Sequence, residues 1–124
     1  MKRVMIIDDA KTVRRYERTI LEALACVEVI EAQNGMEAIE LALVSPVDLF
    51  VVDVNMPRMD GHRFVSEVRQ RPTLRPIPII VATTEDKPED LERSYALGAN
   101  LHLSKPFEPE RFLQAVRLML GLAP

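Results

Sequence analysis

The chain has 124 residues, 48% of them hydrophobic and 28% charged, which suits one domain with a single core (1–124). A net charge of −3 leaves no basic field to hold nucleic acid, and the longest unbroken apolar run, Ala23 to Val27, is far short of a membrane span. With one cysteine there is no internal disulfide, and the chain runs directly into a strand pattern without a signal-peptide profile, so a soluble cytoplasmic protein is expected.

Val4-Met5-Ile6-Ile7 reads as a buried strand running into Asp8-Asp9. Val13, Tyr16, Ile20, Leu21 and Leu24 then fall at helical spacing with charges between them, and Cys26 reads as a small buried hydrophobe. Val27 to Ile30 is short and β-branched, a second strand. Asn34-Gly35-Met36-Glu37 pairs an N-cap residue with a carboxylate three positions on, opening a helix with Ala38, Leu41 and Ala42 on one side that ends before Ser45-Pro46. Leu49 to Val52 is a third strand, running into Asp53. Phe64, Val65 and Val68 mark a third helix, with His62 read as a surface residue, and the proline-rich stretch from Arg71 to Pro78 reads as an exposed connection. Ile79 to Ala82 is a strand that ends at Thr83. Pro88-Glu89-Asp90 opens a helix that should end at Gly98; its stripe, little beyond Leu91, Tyr95 and Leu97, is the weakest, so it is expected to be the least firmly held. Leu101-His102-Leu103 is the fifth strand, with Lys105 two positions past its end. Pro109 opens a last helix, lined by Phe112, Leu113, Val116 and Leu120 and ended by Gly121.

Five strands and five helices in strict alternation predict an α/β fold: a doubly wound parallel sheet with helices on both faces and right-handed crossovers. In such sheets ligands bind outside the carboxyl ends of the strands. Asp8, Asp9, Asp53, Thr83 and Lys105 all sit at those ends and should meet in one crevice. Clustered carboxylates repel unless a cation lies among them, and Mg²⁺, which takes oxygen ligands and substrate phosphate together, fits that need. Lys105 would face a phosphoryl oxygen, Thr83 would offer a hydroxyl, and an aspartate can itself be the nucleophile. Phosphoryl transfer by positioning and electrostatics is the chemistry this group suits.

With Ile6-Ile7-Asp8-Asp9, Asp53-Val54-Asn55-Met56-Pro57-Arg58-Met59-Asp60-Gly61, the pair Thr83-Thr84, and Lys105-Pro106-Phe107, the chain resembles the receiver domains of two-component response regulators, most nearly the single-domain chemotaxis (CheY-like) type. The resemblance implies a flavodoxin-like (βα)5 sheet of order 2-1-3-4-5. It also implies that Asp53 accepts the phosphoryl group and that Mg²⁺ is held by Asp8, Asp9, Asp53 and the Asn55 carbonyl. Thr83 would be the switch hydroxyl and Lys105 the phosphoryl-contacting lysine. Implied partners are a sensor histidine kinase or phosphotransfer protein, which supplies phosphate, and an effector protein at the face of helix four, strand five and helix five. Neither nucleic acid nor membrane is an expected partner, and a monomer is expected.

The chain departs from the family pattern at His102, where a Tyr or Phe switch ring is usual. An imidazole can serve as that planar ring, or it can make the switch depend on pH, since histidine titrates near neutrality. In the family, the positions of Asn55 and Glu85 flank the path of the water attacking the phosphoryl group, so the resemblance implies a short-lived phosphoryl state; the plainer reading is two exposed loop residues. Arg14, Arg15 and Arg18 read as a solvated basic face, or as a docking surface for the kinase. A phosphatase using an aspartate nucleophile would need a second acid at position 55, which is Asn. A flavin-binding domain would need a hydroxyl- and glycine-rich loop where Asp8-Asp9 stand. A phosphate-independent adaptor would be missing one of the key residues, and none is missing. The sequence allows either a stand-alone regulator or a receiver cut from a longer chain.

Overall fold

The structure, a computed structural model, describes residues 1–123; Pro124, where the sequence leaves open an end or a linker, lies outside the described residues. The elements alternate without exception: β1 (Lys2–Ile7), α1 (Lys11–Leu21), β2 (Val27–Ala32), α2 (Gly35–Val44), β3 (Leu49–Val52), α3 (Gly61–Gln70), β4 (Ile79–Thr83), α4 (Pro88–Leu97), β5 (Leu101–Ser104) and α5 (Pro109–Leu120). The strands form one parallel sheet in the order β2-β1-β3-β4-β5, the expected one. β2 runs two residues past the expected Ile30, to Ala32, because Glu31 and Ala32 stay in register with Ile6 and Ile7.

Side chains alternate across a strand, so a sheet covered on both faces has two cores. Met5, Ile7, Phe50, Val52, Ile79 and Val81 pack with Phe64, Val65 and Val68 of α3 and Ala38 and Ile39 of α2. Val4, Ile6, Leu49, Val51, Ile80 and Ala82 pack with Ile20 and Leu21 of α1 and Phe112, Leu113 and Val116 of α5. β1 and β3 lie between neighbours on both sides, which is why they read as unbroken apolar runs. α4 buries only Ser94 among its residues.

The helix ends follow local chemistry. Asn34 accepts from the Glu37 N–H at 2.9 Å, but Glu37 Oε1 reaches back to the Gln33 N–H rather than to Asn34, one residue further than a standard capping box. Gly98 ends α4 at φ 117°, in the left-handed region. Three expectations about exposure are corrected. Cys26 is exposed, because the turn from α1 to β2 carries it outside the core. His62 is buried, covered by Ser94 of α4. Arg14 is buried too, because Glu31 of β2 and the Asp8 carbonyl supply acceptors for it.

Candidate functional site

Asp8, Asp53 and Lys105 are held by backbone that continues the sheet ladder past the strands. The Asp8 N–H donates to the Ala32 carbonyl, the Asp53 N–H to that of Ile7, and the Lys105 N–H to that of Thr83. The loop after β3 is then pinned by close approach of α3. A Cβ on Gly61 would stand 2.3 Å from the Asp53 carbonyl oxygen, so only glycine lets the helix start there. The Gly61 N–H donates to the Val54 carbonyl, and Asp60 caps α3 by accepting from the Arg63 N–H. On the other side, the Ala10 N–H donates to Asp8 Oδ1 at 2.9 Å, and Arg14 Nη1 donates to the Asp8 carbonyl at 2.8 Å. The same guanidinium donates through Nε to Glu31, which also pairs with Arg18. Burial works to raise the Glu31 carboxyl, but the bonds from Arg18 and Arg14 hold it below the usual carboxylate range. Two of the three arginines read as a solvated face are therefore structural, tying α1 to β1 and β2.

The crevice brings together the predicted residues. Asp8, Asp9 and Asp53 each offer a carboxylate oxygen within 4.8 Å of the others. Lys105 Nζ donates to Asp8 Oδ2 at 2.8 Å and stands 4.0 Å from Asp53 Oδ1. The Lys105–Pro106 peptide is cis. Thr83 is fully buried, and its hydroxyl accepts from the Glu85 N–H at 3.3 Å. Burial, with the neighbouring Asp8 charge, raises the Asp53 carboxyl above its usual range, against the lowering pull of Lys105 and of the Thr83 hydroxyl. Burial also works to discharge Lys105, but its bond to Asp8 and the charges of Glu17, Asp8 and Asp53 leave it more firmly protonated than a free lysine.

The donor set fits a small divalent cation. Three carboxylate oxygens within 4.8 Å are near the span of one octahedral Mg²⁺, whose opposed ligands lie about 4.2 Å apart. A cation among these oxygens would also offset the burial and the neighbouring Asp8 charge that raise the Asp53 carboxyl. Asn55 is exposed on the loop just beyond Asp53, and its backbone supports the Asp53 carboxylate with a hydrogen bond.

Two features escaped the sequence reading. Glu17 of α1 is buried, and its Oε2 lies 4.0 Å from Lys105 Nζ, on the floor of an apolar cleft lined by Val13, Tyr16, Pro106 and Phe107. Burial, more than the nearby Asp8 and Asp53 charges, pushes its carboxyl up to about 8 against the pull of Lys105. The signal was available: Glu17 is four residues from both Val13 and Leu21, on the apolar stripe itself. The second is a polar chain, buried at Ser94 and His62, at the other end of the rim. His102 Nε2 bonds the Glu85 carbonyl at 2.9 Å and its Nδ1 meets Ser94 Oγ at 3.1 Å, while His62 Nε2 approaches the same oxygen at 3.4 Å.

The comparisons agree with this geometry. The model of the response regulator receiver domain matches residues 4–117. The chain is 32% identical over 120 residues to the chemotaxis protein CheY1 of Helicobacter pylori (strain 26695), covering 96% of this chain and 97% of that one. It is 31% identical to protein PilG of Pseudomonas aeruginosa, over 93% of this chain and 84% of that one. The solved structure of the chemotaxis response regulator CheY4 of Vibrio cholerae superposes with a TM-score of 0.89 at 37% identity, covering 97% of this chain and 99% of that one. With its five-stranded order, its acidic rim and these relatives, the chain belongs to the response regulator receiver domains and is CheY-like.

Proposed function

We propose that this protein is a phosphorylation-activated signalling switch that takes a phosphoryl group onto Asp53 and signals by a shift of conformer, not by turnover of a substrate. The observation that carries the reading is the placement of the Lys105 ammonium among the acids: bonded to Asp8 and 4.0 Å from Asp53. A partly buried carboxylate with a cation on each side can approach a phosphate that bulk solvent would keep away.

An Asp53 oxygen attacks the phosphorus of a phosphohistidine on a sensor kinase or phosphotransfer protein, or of a small acyl phosphate. The new O–P bond forms as the bond to the donor breaks, and the donor leaves with that electron pair. Mg²⁺, held by Asp8, Asp9, Asp53 and the Asn55 carbonyl, would supply charge neutralisation for the phosphoryl oxygens. Lys105 turns from Asp8 to one of those oxygens. Thr83 donates its hydroxyl to another and so draws on the turn that Glu85 closes. The displacement reaches His102 through the Glu85 carbonyl and repacks the face of α4, β5 and α5, where Tyr95 is 44% exposed and its hydroxyl accepts from the His102 N–H. An effector protein reads that face. Asn55 and Glu85 line one cavity beside the crevice, which gives water a route to the phosphoryl group and shortens its lifetime. We take the protein to be a stand-alone, monomeric, cytoplasmic regulator; the alternative is a receiver within a longer regulator.

Incubation with Mg²⁺ and acetyl phosphate, followed by intact mass measurement, tests the chemistry. One added phosphoryl group is expected, absent in Asp53→Asn and absent when EDTA removes the metal. An unchanged mass adduct in Asp53→Asn would overturn the assignment.

A further inference from the structure

We propose that His62 is a positioning residue for the imidazole of His102: through the buried Ser94 hydroxyl, which it leaves free to donate, it stabilises the tautomer that the Glu85 carbonyl selects, with His102 donating from Nε2. The consequence for signalling rests on the reading of His102 as the switch ring; the hydrogen-bonded chain itself does not.

Four separate elements supply the chain: His62 from α3, Ser94 from α4, His102 from β5 and Glu85 from the loop between β4 and α4. Its direction follows from chemistry alone. A carbonyl only accepts, so His102 Nε2 carries the hydrogen on its 2.9 Å bond to Glu85. In the neutral ring Nδ1 then has only a lone pair, and the Ser94 O–H, 3.1 Å away, is its donor. Serine has one hydrogen to give, so its oxygen accepts from His62 Nε2–H across 3.4 Å. Each atom then has one role, which is how a fully buried hydroxyl is satisfied (Ser94 is 0% exposed).

The chain ends near the crevice, because the Glu85 N–H donates to Thr83 Oγ1. A pull on the Thr83 hydroxyl is therefore felt at the residue whose carbonyl holds His102. The opposite end lines a cavity of about 510 Å³ shared with Asn55, Asp60, Glu85 and Arg93, through which a proton can reach His62. Burial, followed by Arg93 of α4, disfavours charge on His62; Asp60 ahead of α3, Glu85 of the loop and Asp90 of α4 oppose them with less effect.

Long-range ¹H–¹⁵N spectra of the imidazoles in the full ¹⁵N-labelled chain test this at pH 7.5. His102 is expected in the Nε2–H tautomer. Ser94→Ala should lower its preference roughly fivefold, the worth of one neutral hydrogen bond of about 1 kcal/mol. His62→Phe should do the same, and His62→Gln, whose amide can donate from nearly the same place, should restore the ratio. Circular dichroism melts identify any variant that fails to fold, and Ser94→Ala, a one-atom deletion, keeps the test open in that event. A dominant Nδ1–H tautomer, or an unchanged ratio in Ser94→Ala, overturns the proposal. Adding Mg²⁺ and acetyl phosphate separates the two readings. If Asp53 is phosphorylated while the His102 signals stay still, His102 is not the switch, and the tautomer result still decides the role of His62.

Discussion

Around Lys105, three carboxylates crowd one ammonium: Asp8 at 2.8 Å, Glu17 and Asp53 each at 4.0 Å. Around Ser94, two imidazoles share one hydroxyl, and a carbonyl closes the end. Both clusters lie on the same rim of the sheet, yet they store energy differently. In the first, three acids share one ammonium, and burial, helped by the charges of neighbouring acids, raises the Glu17 and Asp53 carboxyls above their usual range. In the second, every donor has an acceptor and no net charge is needed. The unbalanced cluster is the one able to receive a cation and a phosphoryl group. The balanced one is suited to passing on a displacement without costing much at rest.

The largest expected effect comes from removing the ammonium. Lys105→Met leaves Asp8 and Asp53 facing each other with no counter-charge, and breaking a buried pair in this way costs about 3 kcal/mol. The loss should be greatest at pH 8 and shrink toward pH 4, because the raised Asp53 and Glu17 carboxyls hold their protons more readily as pH falls. Urea unfolding at the two pH values measures it, and added Mg²⁺ should return part of the stability at pH 8. Equal destabilisation at both pH values would mean that packing of the lysine stem, not its charge, holds the site together.

Glu17→Gln probes the same cluster from the other direction. In the folded chain its carboxyl keeps its proton up to about 8, against 4.5 for an ordinary glutamate. Between those values the folded state holds a proton that the unfolded state has released, so this group's contribution is complete below about 4.5 and is lost as pH rises through about 8. The amide cannot ionise and removes that slope. At pH 8 the variant should be more stable than the parent by a few kcal/mol, and at pH 4 the two should agree. Parallel stability curves from pH 4 to pH 8 would rule out an uncompensated buried acid at position 17.

The contrast between the clusters also marks what the sequence disclosed. The alternation of strands and helices, and the meeting of Asp8, Asp9, Asp53, Thr83 and Lys105, were legible because they depend on local periodicity and on the fixed geometry of a parallel sheet, whereas the order of strands within the sheet came with the family resemblance. Burial of polar side chains was not, because it depends on partners from distant segments. Arg14 reads as solvated until β2 brings Glu31 to it, and His62 reads as surface, flanked by Gly61 and Arg63, until α4 lays Ser94 over it. Glu17 is the exception: its place on the apolar stripe was visible, but a charge among apolar neighbours reads as an interruption of the pattern, not as a member of it.

The smallest expected effect on stability belongs to Ser94→Ala, and its size relative to the others is the informative quantity. Deleting the hydroxyl leaves His102 Nδ1 without its donor and His62 Nε2 without its acceptor. Unsatisfied buried groups cost roughly 1–3 kcal/mol each. His62 lines a cavity that water can enter, and His102 is only partly buried, so both rings can recover a partner. Thermal unfolding at pH 7.5 should therefore register a loss of about 1 kcal/mol, below that of Lys105→Met. The neutral chain also has no charge to lose, so this loss should change little between pH 7.5 and pH 9. A steep pH dependence there would show that the second cluster, like the first, holds charge in the resting molecule.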